Sequence, residues 1–229
     1  KENISSVQPK ILNYYNKEHF DYAGASGGYI DYLGYPFARG RIFNTIEKDN
    51  HQYDDKKKIF WASGAAFITK KKIFEKIGGF DEQLFAHMEE IDYHWKCQLL
   101  GYEVWVEPKS VVYHHGAITL PVSSPYKTYL NYRNSLILLL TNYSTVVSLK
   151  FFPPRIFLEL LSIIKEILFF RWTHALAIFR AWLWIVCHIG YIYERRKKIN
   201  NTKLLDNIYA NSIVVKYYLM GKKTFSKII

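Results

Sequence analysis

Glu89, Glu90 and Asp92 fall within four residues of one another in "GGFDEQLFAHMEEIDYHWK", directly after a Phe-rich turn. Acidic side chains at the start of a helix complement its exposed N–H groups and the positive end of its dipole, and that role alone accounts for such a group. The sharper chemistry is catalytic. Clustered carboxylates raise one another's pKa, can supply a general base, and suit hard divalent cations. Glu89 and Asp92, three apart, share a helix face, with Glu90 about a quarter-turn away. His114 and His115 follow one strand later. An adjacent histidine pair at a strand end is commonly structural, but carboxylates plus one such histidine are the minimum set for a Mg²⁺ or Mn²⁺ site beside a base.

The elements that must position these residues read as mixed α/β up to about residue 120. "SVQPKIL" is β-like, and "FDYAGASGGYIDYLGYPFARGRIF" has no helical period and is expected to be a long loop. "EKDNHQYDDKKK" reads as an exposed loop, and "IFWASGAAFITKK" as a strand broken at Ser63-Gly64. "KKIFEKIGGF" suits a short helix closed by Gly78-Gly79. From Glu89 the period is helical, with Met88, Ile91, Trp95 and Leu99 on one side and Gly101 placed to end it. "EVWVEPKSVVYHH" alternates like a strand interrupted by Pro108, and Pro121 and Pro125 bracket a linker. Beyond it the pattern is helical. The expected division is 1–120 and 121–229.

Charge follows that division. Residues 1–120 hold 15 Lys/Arg against 16 Asp/Glu, whereas 121–229 hold 16 against 4, a net of +12. A basic half points to nucleic acid or to an anionic membrane. The cations here lie among Leu, Ile, Phe and Trp, as in "PPRIFLELLSIIKEILFFRWTHALAIFRAWLWIVCHIGYIYERRKK", so a nucleic-acid partner is not expected. A spanning helix needs about 20 apolar residues. The uncharged runs Asn134–Leu149 and Ala181–Tyr193 have 16 and 13. From Arg155 to Phe170, Arg155, Glu159, Ser162 and Lys165 recur at helical spacing and leave a broad apolar face. Residues 151–198 are therefore expected to lie peripherally on an anionic membrane, with Arg195–Lys198 toward head groups. Cys97 and Cys187 imply no disulfide framework, and "KENISSVQPK" is not a secretory signal.

The run "FWASGAAFITKKKIFEKIGGFDEQLFAHMEEIDYHWKCQLLGYEVWVEPKSVVYHHG" resembles the C-terminal half of the catalytic domain of family 2 glycosyltransferases, in the rhamnosyltransferase-like bacterial branch. "AGASGGYIDYLGYPFARGR" and "PYKTYLNYRN" resemble its flanking segments, so the resemblance covers about residues 7–140. It implies a GT-A, Rossmann-like fold followed by a membrane-associating helical extension. It also implies transfer of a hexosyl or deoxyhexosyl group from a nucleotide-sugar donor to an acceptor hydroxyl, with a divalent cation (Mg or Mn). The acceptor would be a glycan or lipid-linked intermediate of bacterial cell-surface glycan synthesis, at the cytoplasmic face of the plasma membrane. Carried over residue by residue, the family's acidic pair falls on Glu89-Glu90, and Glu90, with Glu89 beside it, is the expected base. The family has Asp more often at the second position, which leaves the base open between the two. His114 is the implied metal ligand. Asp81 supports the acceptor side with Asp92 nearby, Trp61, Ser63, Gly64 and Ala65 match the loop beside the donor sugar, and Arg39, Arg41 and Arg133 are candidates for phosphate contact.

The family's Asp-x-Asp metal motif does not occur, and the chain does not begin with Met. The expectation is a C-terminal portion of a longer transferase, inactive by itself. The alternative is a non-catalytic glycan- or membrane-binding module derived from such an enzyme; retention of Glu89, Glu90 and His114 argues against it.

Overall fold

The computed structural model describes residues 2–116, 124–200 and 204–229. The architecture is mixed α/β and divides into two compact units. Lys1–Asp81, Glu90–Gly116 and Leu205–Ile229 form the first, and Glu82–Glu89 and Ala117–Leu204 form the second.

In the first unit β1 (Ile4–Asn13) is followed by four short strands, β2 (Gly28–Ile30), β3 (Pro36–Ala38), β4 (Arg41–Ile42) and β5 (Thr45–Ile46). These four make an antiparallel sheet in sequence order, and the first three lie in the stretch expected to be a loop. Strands of two or three residues are too short for alternation to declare them. β6 (Lys57–Ile59), β7 (Ile68–Thr69) and β8 (Glu103–His114) join β1 in a second sheet of order β6-β8-β1-β7. β1 and β8 run parallel, and their register slips between Pro9 and Lys10, which pair with Glu107 and Val111. Pro108 lies in the slip. It has no N–H for the ladder, so the strand bulges there and resumes, bringing His114 opposite Asn13.

Two helices carry the expected caps. α1 (Lys71–Ile77) ends at Gly78 in the left-handed region, whose N–H bonds back to Glu75 and Phe74. α2 (Glu89–Leu99) stops before Gly101, and Ile91, Tyr93, Trp95 and Cys97 are buried along it.

One segment of the expected helical extension groups with the first unit. Pro121 and the expected boundary at residue 120 lie outside the described residues, but the last segment does not continue a helical extension. Leu205–Ile229 belongs to the first unit. Ile213, Tyr217, Phe225 and Ile228 pack with Phe20, Phe37, Ile42 and Tyr53 in one apolar core. Asp31 fixes the segment, accepting from Leu33 and Tyr35 N–H at Oδ1 and from Ile213 N–H at Oδ2. Buried aromatic area drives this return, and the basic residues between the aromatics mask it in a charge count.

The second unit contains α3 (Pro125–Asn142), α4 (Thr145–Leu168), α5 (Trp172–Cys187) and α6 (Ile189–Ile199). Pro125 opens α3 at a position where its missing N–H costs nothing. On α4 the first two residues of the polar stripe face inward. Arg155 and Glu159 are fully buried and paired at 2.6 Å. Trp182 Nε1 donates to Glu159 at 2.5 Å, and Arg155 donates to Ser135 Oγ at 2.8 Å. The apolar face, including Phe157, Leu160, Leu161 and Ile164, is exposed. Among the described residues no single helix is long and apolar enough to cross a membrane; α5 and α6 meet that test only as a pair bent by 71°.

Burial pushes the Glu159 carboxyl above its ordinary pKa, opposed by Arg155. Removing only the cation leaves a buried carboxylate unpaired, which typically costs about 3–5 kcal/mol, whereas replacing both partners with apolar residues is often neutral. Arg155→Met is therefore expected to destabilise the chain by that amount, and Arg155→Met with Glu159→Leu to recover most of it. Urea denaturation followed by circular dichroism checks this; a double variant as unstable as the single would refute the coupling.

Candidate active site

α2 positions the candidate carboxylate. Three polar residues at intervals of four, Glu90, His94 and Gln98, form one stripe on it, and the extended segment from Phe60 to Gly64 lies along that stripe. Gln98 Nε2 donates to Phe60 O at 2.7 Å, and Ala62 N–H donates to His94 Nδ1 at 3.4 Å. A β-carbon built on Gly64 would stand 3.8 Å from Glu90 Oε1. The carboxylate therefore lies directly over the Ser63–Ala65 turn. His94 is fully buried and burial lowers its pKa to about 3, so it serves as a neutral acceptor throughout the physiological range.

The turn is tied from its other side by β1. Ser63 N–H donates to Gln8 Oε1 at 2.7 Å, while Gln8 Nε2 donates to Gly24 and Ala25 carbonyls at 3.2 Å. Ser63 Oγ accepts from Ala65 N–H at 3.2 Å. Trp61 is buried, donates to Tyr29 O at 2.8 Å, and lies where a β-carbon on Gly28 would stand 2.0 Å from its ring. Its ring packs against backbone and fixes the turn.

In the second unit, Phe85, His87 and Met88 are non-glycine residues at φ +59°, +66° and +74°. Such conformations are strained and persist only when the surroundings impose them. Asn134 and Arg133 impose them from α3. Asn134 Nδ2 lies within hydrogen-bond reach of the Leu84, Ala86 and His87 carbonyls at 2.8, 3.0 and 2.7 Å. Arg133 Nη2 donates to Gln83 and Leu84 carbonyls, and Nε donates to Asn134 Oδ1. Glu89 follows this loop. Burial raises its pKa above the ordinary carboxylate value, and its Oε2 has no hydrogen-bond partner among the described residues. Burial, with Lys127 adding to it, lowers His87 to about 4, so that imidazole is neutral.

Other candidates are committed within the protein. Arg39 is buried, pairs with Asp55 and stacks 5.1 Å from Tyr53. Arg41 is buried and lies 4.2 Å from the Tyr22 ring. Arg133 is occupied by the loop carbonyls. Asp92 is buried and pairs with Lys96 at 2.7 Å, and Asp81 is half-buried at the end of its turn.

His114 has a partner that sequence reasoning did not single out. Its Nδ1 stands 2.9 Å from Asp21 Oδ1, and the buried Asp21 also accepts from Ala23 N–H and from Asn13 Nδ2. A carboxylate accepts, so the imidazole donates from Nδ1, and in the neutral form of the ring the lone pair is then on Nε2. His115 parts from it, bonding Tyr15 Oη through Nε2 on the exposed side.

No family model matches the chain. Over 91 residues, 40% of this chain, it is 29% identical to N-acetylglucosaminyl-diphospho-decaprenol L-rhamnosyltransferase of Mycobacterium tuberculosis, with the same figures for strains CDC 1551 / Oshkosh and ATCC 25618 / H37Rv. The match spans 29% of the length of these curated relatives. The likeness supports a glycosyltransferase relationship at the level of the broad class.

An orienting carboxylate behind a histidine is the arrangement that metal-ligating imidazoles commonly have. His114 thus fits as a single ligand for a divalent cation. Among the described residues it is not part of a three-ligand group; the one such group is Asp49, His51 and Asp54. There the ammonium of Lys10 already pairs with both aspartates, so a cation occupies the position.

Two outcomes test these placements. Because Glu89 has a raised folded-state pKa, it destabilises the fold as pH rises through the ordinary carboxylate range to that raised value. Glu89→Gln is expected to be more stable than the parent at pH 7 and to lose that advantage at acid pH, where both states are protonated; denaturation at the two pH values measures it. His114 is expected to hold the Nδ1–H tautomer in proton–nitrogen correlation spectra and to lose that preference in Asp21→Leu. An unchanged tautomer in that variant would remove Asp21 from the orienting role.

Proposed function

We propose that this chain carries the base and acceptor side of a glycosyltransferase of GT-A type, related to the family 2 rhamnosyltransferase-like enzymes. The reaction moves a hexosyl or deoxyhexosyl unit from a nucleotide-sugar donor to the hydroxyl of a glycan or lipid-linked acceptor. The observation that carries this reading is the Glu90 carboxylate held over the Ser63–Ala65 turn by the α2 stripe. The name of the mycobacterial relatives, which describes a rhamnosyltransferase acting with a diphospho-decaprenol compound, supports the sugar and acceptor classes. Work on a lipid-linked acceptor would place the protein peripherally at the cytoplasmic face of the plasma membrane.

Glu90 or Glu89 takes the proton from the acceptor hydroxyl as its oxygen forms a bond to the anomeric carbon. The bond from that carbon to the donor phosphate breaks, and the nucleoside diphosphate leaves with the electron pair. Glu90 has the geometry, being fixed beside the turn that matches the donor-sugar loop. Glu89 has the electrostatics, because a raised pKa brings a base closer to neutral pH. The turn and its Gln8 anchor orient the sugar; the buried face of α2 excludes water behind the carboxylate. A divalent cation, when bound, would neutralise charge on the leaving diphosphate, with His114 the residue of this chain to contact it.

Glu89→Gln and Glu90→Gln, prepared in parallel in the whole protein, separate the candidates. The true base is expected to lower kcat by about 10²–10⁴-fold, with donor affinity, read by calorimetry, nearly unchanged. Full activity in both variants would end the carboxylate assignment, whereas absence of transfer by the parent itself would favour a non-catalytic glycan-binding module.

A further inference from the structure

The second unit buries an apolar core, Leu136–Leu139 and Ile178 among it, and yet leaves a second set of apolar side chains exposed. Some of its charged side chains are interior: Arg155 and Glu159 pair there, and Arg195 donates to Thr141 from a buried position. Apolar side chains point outward along α4 and α5, among them Phe157, Leu161, Leu176 and Phe179. The exposure peaks where the two helices meet. In "LFFRW", Leu168, Phe169 and Phe170 are 70, 68 and 81% exposed, and Trp172 is 58% exposed. Contiguous apolar surface of this kind marks an interaction site.

The charges around it choose the occupant. Lys165 and Arg171 flank the corner and share Glu166 between them, so two cations meet one carboxylate. Arg180, Lys197 and Lys198 are exposed elsewhere on the unit, where Glu194 is an exposed acid. A cation-rimmed apolar corner matches an anionic lipid surface, whose head groups meet the cations while acyl chains meet the rings.

We propose that the α4–α5 corner, Leu168–Trp172, inserts into the head-group and acyl boundary of an anionic bilayer and is the element by which this protein docks there. Phe169 and Phe170 are the leading residues, and Lys165 and Arg171 stay at head-group level. This deepens the membrane part of the proposed function and is independent of its chemistry.

The test uses the chain with Cys187→Ser, which leaves Cys97 buried, and an environment-sensitive fluorophore at Phe170→Cys. Phosphatidylcholine vesicles are compared with and without phosphatidylglycerol, and a matching label at Ile68→Cys, an exposed apolar position in the first unit, is the control. Acidic vesicles are expected to blue-shift the label at residue 170, and brominated acyl chains to quench it, while the label at residue 68 does not respond. Phe169→Ser with Phe170→Ser is expected to lower partition into acidic vesicles by about tenfold or more. Both are surface positions, and circular dichroism verifies that the variant folds. Co-sedimentation without quenching at residue 170 would overturn the corner while leaving membrane docking in place. Absence of co-sedimentation with acidic vesicles would overturn both. Loss of self-association in the double-serine variant, with partition unchanged, would assign the corner to a second copy of this chain and overturn the lipid assignment.

Discussion

An extended backbone that leaves a sheet must satisfy its N–H and C=O groups elsewhere, and in this protein a buried helix shares that work with Gly28, whose backbone bonds Phe60 and Trp61. β6 ends at Ile59, and the next five residues lie along α2. Gln98 answers a carbonyl and His94 an N–H, and Glu90 ends the same stripe over the turn. The interior has a low dielectric, so hydrogen bonds there are strong and an unmet group is costly. The stripe therefore fixes the distance between carboxylate and turn more firmly than a surface loop could. Gln8 repeats the device from the sheet side. The candidate chemistry rests on backbone satisfaction first and on acidity second.

The other carboxylate is held differently. Glu89 ends a loop with three left-handed non-glycine residues, each disfavoured by itself. Arg133 and Asn134 offset that strain through several carbonyls at once. A guanidinium used this way is unavailable to a phosphate, which explains why a residue type suited to phosphate contact here has a positioning role. The chain leaves one compact unit and enters the other between Glu89 and Glu90. Adjacent carboxylates thus acquire separate environments: burial without a hydrogen bond at Oε2 for Glu89, and the turn for Glu90.

Local periodicity made α1, α2, β1 and β8 legible, with the glycine stops at Gly78 and Gly101. Family resemblance, separately, singles out Glu90 as a base candidate and Ser63–Ala65 as a donor-sugar loop, without stating that the two adjoin. The supporting residues were hidden for physical reasons. Asp21 meets His114 across 93 residues of chain, a pairing no local pattern encodes. Strands β2 to β5 are shorter than one period of reliable alternation. The return of Leu205–Ile229 is concealed because Tyr217 and Phe225 are scattered among lysines, so the segment's charge masks its aromatic burial. Glu90, His94 and Gln98 do carry a readable signal, because their spacing of four marks a polar stripe on a largely buried helix.

The same spacing argument shows the limit of amphipathic patterns. A stripe of polar residues on α4 separates two faces but does not say which faces inward. In water the apolar face goes inside because its burial is favourable. Arg155 and Glu159 reverse that rule by satisfying one another at four-residue spacing, with Ser135 and Trp182 taking remaining hydrogen bonds. Once the polar groups are paired inside, the aliphatic face is left outside, and a unit built this way is stable in isolation only at the expense of hydrating it. Several of the basic residues that make this half of the chain so cationic, Arg133, Arg155 and Arg195 among them, are interior fasteners. The charge left at the surface is smaller than the count suggests, and it lies beside apolar side chains. That combination, more than net charge, distinguishes a lipid surface from nucleic acid as the medium for which such a face is suited.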